Sequence, residues 1–276
     1  MVSQVALVRT TEGHQKALQE AFKLIGGIDD LNAKNRNVTV KIGIYDSRGL
    51  NYPTLEATKA VVGAFPNAKK IFLAESDNHM GVALQRLQIW CDVFTERIIP
   101  FSLTDDTEVR EATIIGEKLC LSHVLFEPYV RVSFHSFRSS RGVGEPLYGS
   151  IIKNLLGIIP DIQKQRFHDR LGVALVDMLS TIHGVDLAVL DATYMYYGKY
   201  EVGKPFKRIK TNLLLAGRDA VAVDAVGFAL IGINPLDAPS LVEASKRGLG
   251  CAELSKIEVL GESLRNVKIE GHTPSV

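Results

Sequence analysis

The stretch V-T-V-K-I-G-I-Y-D-S-R-G-L-N-Y-P-T-L-E-A-T-K-A-V-V-G-A-F-P-N-A-K-K-I-F-L-A, residues 38–74, decides the fold. Its first seven residues are rich in β-branched side chains and predict a strand. A helix is expected from Pro53, because proline favours the first helical turn and the apolar residues Leu55, Val61, Val62 and Phe65 follow it. Residues 69–74 predict the next strand. A strand, a helix and a strand in this order are typical of parallel pairing.

The same rhythm continues along the chain, with strand starts predicted near residues 5, 38, 70, 185 and 211. It indicates an α/β protein with a mainly parallel or mixed sheet covered by helices. Shorter, mixed apolar runs between residues 97 and 145 predict a strand-rich insertion in the middle, which could form a subdomain. We therefore expect residues 1–276 to form a single α/β domain.

Composition excludes several classes of protein. The 276 residues are 46% hydrophobic and carry a net charge of +1, so the overall balance favours neither nucleic acid nor a membrane surface as a partner. The three cysteines are far apart and odd in number, which argues against a disulfide framework and against an iron–sulfur cluster held by this chain. The sequence shows no signal-peptide pattern and no run of eighteen apolar residues, so we expect a cytoplasmic protein.

A second informative stretch is E-P-L-Y-G-S-I-I-K-N-L-L-G-I-I-P-D-I-Q-K-Q-R-F-H-D-R-L, residues 145–171. Residues 146–156 predict a helix in which Lys153 and Asn154 interrupt an apolar run. Such a lysine either lays its stem along apolar surface or directs its ammonium at a ligand. His168 lies near the start of the next predicted helix, where a histidine is more often a capping or core residue than a catalytic one.

Local charge favours an anionic ligand in this part of the chain. Residues 131–170 contain seven Lys or Arg against three Asp or Glu, a net charge of +4. The loop at residues 136–144 combines glycines with Arg138 and Arg141, and this composition allows backbone amides and guanidinium groups to approach an anion. The glycine spacings of phosphate-binding and dinucleotide-binding loops are absent.

Residues 129–137 alternate as a strand, with Arg131, Ser133 and His135 on one face. This polar face has two interpretations. It could face a ligand, or it could be the solvated outer face of an antiparallel edge strand.

Polar residues also follow other predicted strands. Residues 75–79, which include Asp77, could form a ligand site at a strand end or could cap the following helix. Asp191 follows the strand predicted at residues 185–190. Asp224 lies inside an apolar helical run, so we predict that it is buried and hydrogen-bonded in a structural role.

Residues 149–160, G-S-I-I-K-N-L-L-G-I-I-P, resemble the Lys-Asn-Leu-x-Gly segment of the family called domain of unknown function 362. Lys164 and His168 follow this segment. Further pieces match in order: V-K at 40–41, L-D at 190–191, R-D-A-V-A-V-D-A at 218–225 and G-L-G at 248–250. The resemblance implies an α/β protein of bacteria and archaea, often joined to or encoded near ferredoxin-like iron–sulfur modules.

The sequence departs from the family pattern at three points. Ile42 and Gly43 stand where the family usually has Pro-Asn, and residues 134–138, F-H-S-F-R, stand where it tends to have a Pro-x-x-Lys run. The ferredoxin cysteines are missing, which argues against electron transfer within this chain.

Together, these patterns predict a small phosphate- or carboxylate-bearing ligand in a basic pocket, held either by an enzyme or by a ligand-binding protein without an assigned reaction. The alternative is a non-catalytic partner of a redox or biosynthetic system that docks an acidic protein, such as a ferredoxin-like protein, through the same surface. No metal is expected, because the Asp and His residues lack the spacing of metal ligands. The candidate ligand-binding residues are Lys41, Asp77, His135, Arg138, Arg141, Lys153, Asn154, His168 and Asp191.

Overall fold

A mixed β-sheet forms the centre of the protein in the computed structural model, which describes residues 2–139, 150–198, 201 and 203–269. Within these ranges the strands are β1 (Ser3–Arg9), β2 (Val38–Ile42), β3 (Ile71–Glu75), β4 (Ile98–Ser102), β5 (Val109–Ile114), β6 (Glu117–Ser122), β7 (Val130–Ser139), β8 (Leu187–Tyr197), β9 (Lys207–Gly217) and β10 (Ile257–Gly261).

Eight of these strands pair in the order β10-β1-β9-β8-β7-β2-β3-β4. Strand β9 runs antiparallel to both of its neighbours, and every other adjacent pair in this sheet is parallel. The predicted α/β class is therefore confirmed. In the strand-rich middle of the chain, β4 and β7 join the main sheet, while β5 and β6 pair with each other as an antiparallel hairpin.

Helices cover the sheet on both faces. The described α-helices are α1 (His14–Leu24), α2 (Leu55–Gly63), α3 (Ala83–Leu87), α4 (Ser150–Lys153), α5 (Leu171–Thr181), α6 (Ala220–Leu230), α7 (Pro239–Lys246) and α8 (Leu264–Val267). Short 3-10 helices span Ser47–Gly49, Gln88–Val93, His123–Leu125, Asn154–Ile158, Lys164–Arg170, Pro235–Asp237 and Leu254–Lys256.

Alternation along the strands divides the apolar residues into two cores. Val38, Val40 and Ile42 of β2 pack in the core formed with α1 and α2. On the other face, Ala188 and Leu190 of β8 join the core formed with α4, α5, α6 and α7. Successive side chains of a strand point to opposite faces, so Thr39 and Lys41 share the α4 side of β2.

Strand β7 lies between β8 and β2 and is parallel to both, so the interpretation of residues 129–137 as a solvated antiparallel edge strand is wrong. Its polar face is buried at Arg131, Ser133 and His135. Alternation of apolar and polar residues is typical of a half-exposed strand, but here the polar face is covered by α4 and the 3-10 helix that follows it.

For several other segments, the structure differs from the sequence prediction in the type or the bounds of the element. The aromatic-rich sequence at residues 194–200 predicts a loop, but Tyr194 and Tyr197 belong to β8. The helix predicted at residues 146–156 is α-helical at Ser150–Lys153 and 3-10 beyond it, and residues 146–149 lie outside the described residues. The sequence beyond Leu264 predicts a poorly ordered tail, but the short helix α8 extends to Val267. Within the described ranges, every helix is too short or too polar to cross a membrane.

Candidate functional site

A buried ion pair joins the ends of two neighbouring parallel strands. Lys41 of β2 is 4% exposed and Glu75, the last residue of β3, is 5% exposed. The Lys41 Nζ lies 3.1 Å from Glu75 Oε1, 2.9 Å from Asn154 Oδ1 and 3.2 Å from the carbonyl oxygen of Ile42. An ammonium group has three N–H donors, so each of them is already donated within the protein. Lys41 therefore supplies positive charge and fixes its neighbours.

The other groups of this pair are also satisfied. Glu75 Oε2 accepts a hydrogen bond from the amide of Ile44 at 3.2 Å, and Oε1 accepts one from the amide of Ser76 at 2.9 Å. Burial lowers the pKa of Lys41, and the charge of Glu75 opposes this effect. A buried charge is tolerated when its partner and its hydrogen bonds are in place, and here both are.

Asn154 connects this pair to β7. Its Nδ2 donates to the carbonyl oxygen of Lys41 at 2.7 Å and to Ser133 Oγ at 3.1 Å. Ser133 Oγ in turn donates to the carbonyl oxygen of Ile151 in α4 at 3.0 Å. Asn154 is thus a bridge between two strands and the helical segment that carries Lys153.

Gly157 lies directly against the ion pair. A Cβ atom added there would lie 2.5 Å from Glu75 Oε1 and 2.6 Å from Lys41 Nζ. The carbonyl oxygen of Gly157 also accepts a hydrogen bond from Ser76 Oγ at 2.7 Å. The segment that follows α4 can approach the strand ends this closely because residue 157 has no side chain.

Gly157→Ala is expected to destabilise the protein by about 1–3 kcal/mol, because the added methyl group overlaps a well-packed buried pair. The measurement is urea unfolding. Gly63→Ala is the matched control, since an added Cβ there meets nothing within 4 Å and Gly63 belongs to α2. Alanine favours a helix over glycine, so the control should be neutral or stabilising by up to about 1 kcal/mol. Equal effects of the two substitutions would contradict the role assigned to Gly157.

Four residues form what we call the basic cluster: Lys41, His135, Arg138 and Lys153. His135 of β7 is 3% exposed. Burial, and then the positive charges of Arg138, Lys41 and Lys153, lower the pKa of His135 well below 6.5. His135 is therefore neutral at pH 7, and the charges of Arg138, Lys41 and Lys153 all disfavour its protonation.

Arg138 is half-buried, as is Lys153. Burial lowers the pKa of its guanidinium, which remains protonated at neutral pH. Its backbone amide donates to Ser150 Oγ at 3.0 Å. Within the part of the chain that the structure describes, no carboxylate lies within ion-pair distance of its guanidinium.

The structure does not bring all the predicted site residues together. Asp77 accepts a hydrogen bond through Oδ1 from the amide of Ala83 at 2.7 Å, so it caps the start of α3. Asp191, predicted to follow a strand that ends at residue 190, is a buried residue inside β8, and its Oδ2 accepts from the amide of Thr54, just before α2, at 2.7 Å. His168 bonds within its own 3-10 helix, 3.2 Å from the carbonyl oxygen of Gln165. Arg141 lies outside the described residues.

The basic segment at residues 131–170 is partly neutralised by residues from elsewhere. Arg131 forms an ion pair with Asp186 at 3.0 Å, and Arg166 forms one with Glu117 at 2.8 Å. Lys164 donates to the carbonyl oxygens of Asp77 and Asp161. The charge that acts on His135 from this segment therefore comes from Arg138 and Lys153.

Asp224 is buried and hydrogen-bonded, which confirms its predicted structural role. Its two carboxylate oxygens accept from the amides of Ile151 at 2.9 Å and Ile152 at 2.8 Å, at the start of α4. Burial raises the pKa of Asp224 to about 7, although these amides oppose the shift. α6 thereby fixes the helix that carries Lys153.

Gly43 of the site was not selected from the sequence, whereas Glu75 and Ser133 lay in stretches that were considered but were not named as ligand-binding residues. Glu75 could have been found as an acidic residue ending a buried strand that neighbours the Lys41 strand. Gly43 lies against the His135 ring, where an added Cβ would be 1.8 Å from Cδ2. That contact joins distant parts of the chain and has no local signal in the sequence.

Residues 38–229 match the family model described as Domain of unknown function (DUF362). The chain belongs to this family. No curated protein and no solved structure matched the chain in the corresponding comparisons.

The DUF362 segment at residues 149–160 has a structural explanation in this fold. Asn154 and Gly157 both contact the Lys41–Glu75 pair, and Asp224 holds the two amides at the start of the segment. The matching pieces at 40–41, 153–157 and 224 therefore build one assembly, whereas Asp191 lies apart from it. Among the described residues, no group of three or more His, Cys, Asp or Glu side chains could hold a metal ion.

Proposed function

We propose that this protein binds a small oxyanion, bearing phosphate or carboxylate, at the basic cluster. The observation that carries the proposal is that the positive charges of Lys41, Arg138 and Lys153 all act on His135, a buried histidine. Lys41 is neutralised by Glu75, but Arg138 has no carboxylate partner within the described residues. A guanidinium matches the geometry of a carboxylate or phosphate group, and such an anion would complete the charge balance.

The position of the cluster also supports a small ligand. Lys41, His135 and Glu75 belong to the carboxyl-terminal halves of the parallel strands β2, β7 and β3, and ligands of open α/β sheets bind at this edge. Burial of Lys41 and His135 favours a small molecule over a protein surface, because a large partner cannot reach groups that are nearly enclosed.

The second candidate is a non-catalytic partner that docks an acidic protein, such as a ferredoxin-like protein, through the same basic residues. Half-buried Arg138 is the feature that such a partner could contact. Salt-dependent co-purification with a ferredoxin-like protein would support docking, because exposed charges attract a partner less strongly as salt increases. Tight retention of a small molecule would support the first proposal.

The proposal is tested with Lys153→Met. Phosphate, sulfate, acetate and glycolate are titrated into both proteins, and affinity is measured by calorimetry and by thermal shift. Methionine keeps an apolar stem of similar length and removes the charge, so we expect the fold to be retained. The affinity for anions should fall about tenfold to hundredfold, because a hydrogen bond to a charged group is worth about 1.5–3 kcal/mol.

Lys118→Met is the matched control, because Lys118 is an exposed lysine on the β5–β6 hairpin. It removes the same charge from the whole protein and should leave the affinity unchanged. If Lys153→Met and Lys118→Met bind the anions as tightly as the wild type, Lys153 has no part in binding. If the wild type binds none of the four anions, the proposed function is wrong.

A further inference from the structure

The hydrogen bonds of His135 assign the tautomer of its ring. The Nδ1 atom lies 2.8 Å from the carbonyl oxygen of Ser136 and 3.3 Å from Ser136 Oγ. A carbonyl oxygen can only accept, so Nδ1 carries the proton. Ser136 Oγ donates its single proton to the carbonyl oxygen of Asn51 at 2.7 Å, so towards Nδ1 it is also an acceptor. In the neutral ring the lone pair is therefore on Nε2.

Two conditions keep this lone pair in place. The ring is buried, and Arg138, Lys41 and Lys153 all disfavour a positive charge on it. A fourth cation beside these three would cost Coulomb energy. His135 is consequently the one member of the basic cluster that offers an acceptor where the others offer positive charge.

The Nε2 edge of the ring faces the carboxyl end of β2. A Cβ atom added to Gly43 would lie 2.3 Å from Nε2, so the ring edge rests against the Gly43 backbone. Among the described residues Nε2 has no hydrogen-bond partner, whereas Nδ1 has two acceptors. Within the described part of the chain, the fully buried side-chain atoms that lack a partner are Thr10 Oγ1, Asn37 Oδ1 and Ser240 Oγ. Nε2 is not one of them, so it is accessible, and the donor of a bound ligand can reach it.

We propose that the ligand of the basic cluster is an oxyanion that itself carries an O–H donor, and that His135 Nε2 accepts this hydrogen bond. This inference rests on the proposed function and deepens it by specifying the ligand class. A hydrogen phosphate group carries such a donor, and so does a carboxylate with a neighbouring hydroxyl group. The cations attract any oxyanion, but the lone pair of Nε2 attracts an O–H group and repels an unprotonated oxygen.

Sulfate is a sharp probe of this arrangement. It has the tetrahedral shape of phosphate and carries two negative charges at neutral pH, but it has no proton. In the cluster one of its oxygens would meet the lone pair of Nε2 without a hydrogen between them. Sites built to bond a ligand proton reject an analogue that lacks it, because the polar group is left unpaired.

The experiment compares dissociation constants for phosphate and sulfate on the full-length protein near neutral pH, at constant ionic strength. We expect phosphate to bind at least about tenfold more tightly than sulfate, since one unpaired polar group costs about 1.4 kcal/mol or more. Glycolate and acetate form the second comparison, in which the hydroxyl of glycolate provides the donor. If phosphate binds more tightly than sulfate but glycolate and acetate bind equally, the ligand is a phosphoryl compound. If glycolate binds more tightly than acetate but phosphate and sulfate bind equally, the ligand is a hydroxycarboxylate.

His135→Gln is the informative variant. The glutamine amide offers both a donor and an acceptor, so the ratio of the sulfate to the phosphate dissociation constant should fall towards one. If this variant does not fold, the ratio in the wild type still decides the question. Nitrogen NMR of labelled histidine gives an independent reading, because an unprotonated Nε2 is expected in the free protein.

The outcomes separate the two proposals. Equal affinity of the wild type for phosphate and sulfate, and for glycolate and acetate, would overturn the inference and leave anion binding intact. Tighter binding of sulfate than of phosphate, or a protonated Nε2 in the free protein, would also overturn it. Absence of binding by all four anions would instead reject the proposed function on which the inference rests.

Discussion

Replacing Lys41 by methionine is expected to destabilise the protein by about 3–5 kcal/mol, because Glu75 would be left as a buried carboxylate without its cation. Glu75 would retain the amides of Ile44 and Ser76, which cannot replace a full positive charge. Asn154 Oδ1 would lose the hydrogen bond that it accepts from Lys41 Nζ in the same step. The free energy of unfolding is measured by urea titration near neutral pH.

The double variant Lys41→Met with Glu75→Gln shows whether the cost comes from the unpaired charge. Removing both charges should recover part of the lost stability, so the two substitutions should be strongly non-additive. Lys16→Met is the matched control, because it breaks an exposed pair with Glu12 at 3.6 Å. Exposed pairs contribute about 0–1 kcal/mol. A loss for Lys41→Met no larger than that of the control would contradict this account.

The strands and the helices between them could be predicted because their signals are local. The alternation in β2 and the proline before α2 depend on neighbouring residues, and the structure places β2 at Val38–Ile42 and α2 at Leu55–Gly63. The position of β7 could not be predicted in this way. Its alternation is the same whether the polar face meets water or the buried side chain of Asn154, and that difference depends on distant residues.

The charge balance of the site also could not be predicted from the neighbouring sequence, because ion-pair partners come from distant parts of the chain. A window at residues 131–170 contains Arg131 and Arg166, but their partners Asp186 and Glu117 lie outside the window. The net charge of +4 counted along residues 131–170 therefore overstates the positive charge that a ligand would meet there. Lys153 and Arg138, two of the predicted ligand-binding residues, both act on His135 through their charge, and their part in binding stays a prediction.

Asp77 and Glu75 show that the sequence does not distinguish which acidic side chain at a strand end faces the site. Both belong to the polar end of β3, and a strand end of this kind indicates a site without showing which side chain turns towards it. The backbone directs Asp77 to the start of α3 and Glu75 to Lys41. Only the three-dimensional arrangement of β2 and β3 distinguishes the two carboxylates.

The free energy of unfolding should fall by about 4 kcal/mol between about pH 4 and about pH 8 through the titration of Asp224. Burial raises the pKa of Asp224 from 3.8 to about 7 in the folded protein. Between these values the unfolded chain has released the proton and the folded chain still holds it. Unfolding therefore releases a proton, and raising the pH favours the unfolded state. The contribution is fully present below about pH 4 and is lost as the pH rises through about 7.

Asp224→Asn isolates this contribution, because asparagine is nearly isosteric and does not titrate. The asparagine nitrogen cannot accept from the amides of Ile151 or Ile152, so at about pH 4 the variant should be about 1–2 kcal/mol less stable than the wild type. At about pH 8 the wild type must bury a carboxylate at a site that is 2% exposed. The variant avoids this cost, so the two stability curves should cross as the pH rises. Urea unfolding of both proteins across this range measures the difference, in which the other titrating groups cancel. Parallel curves would mean that Asp224 is ionised in the folded protein throughout, with the amides at the start of α4 outweighing its burial.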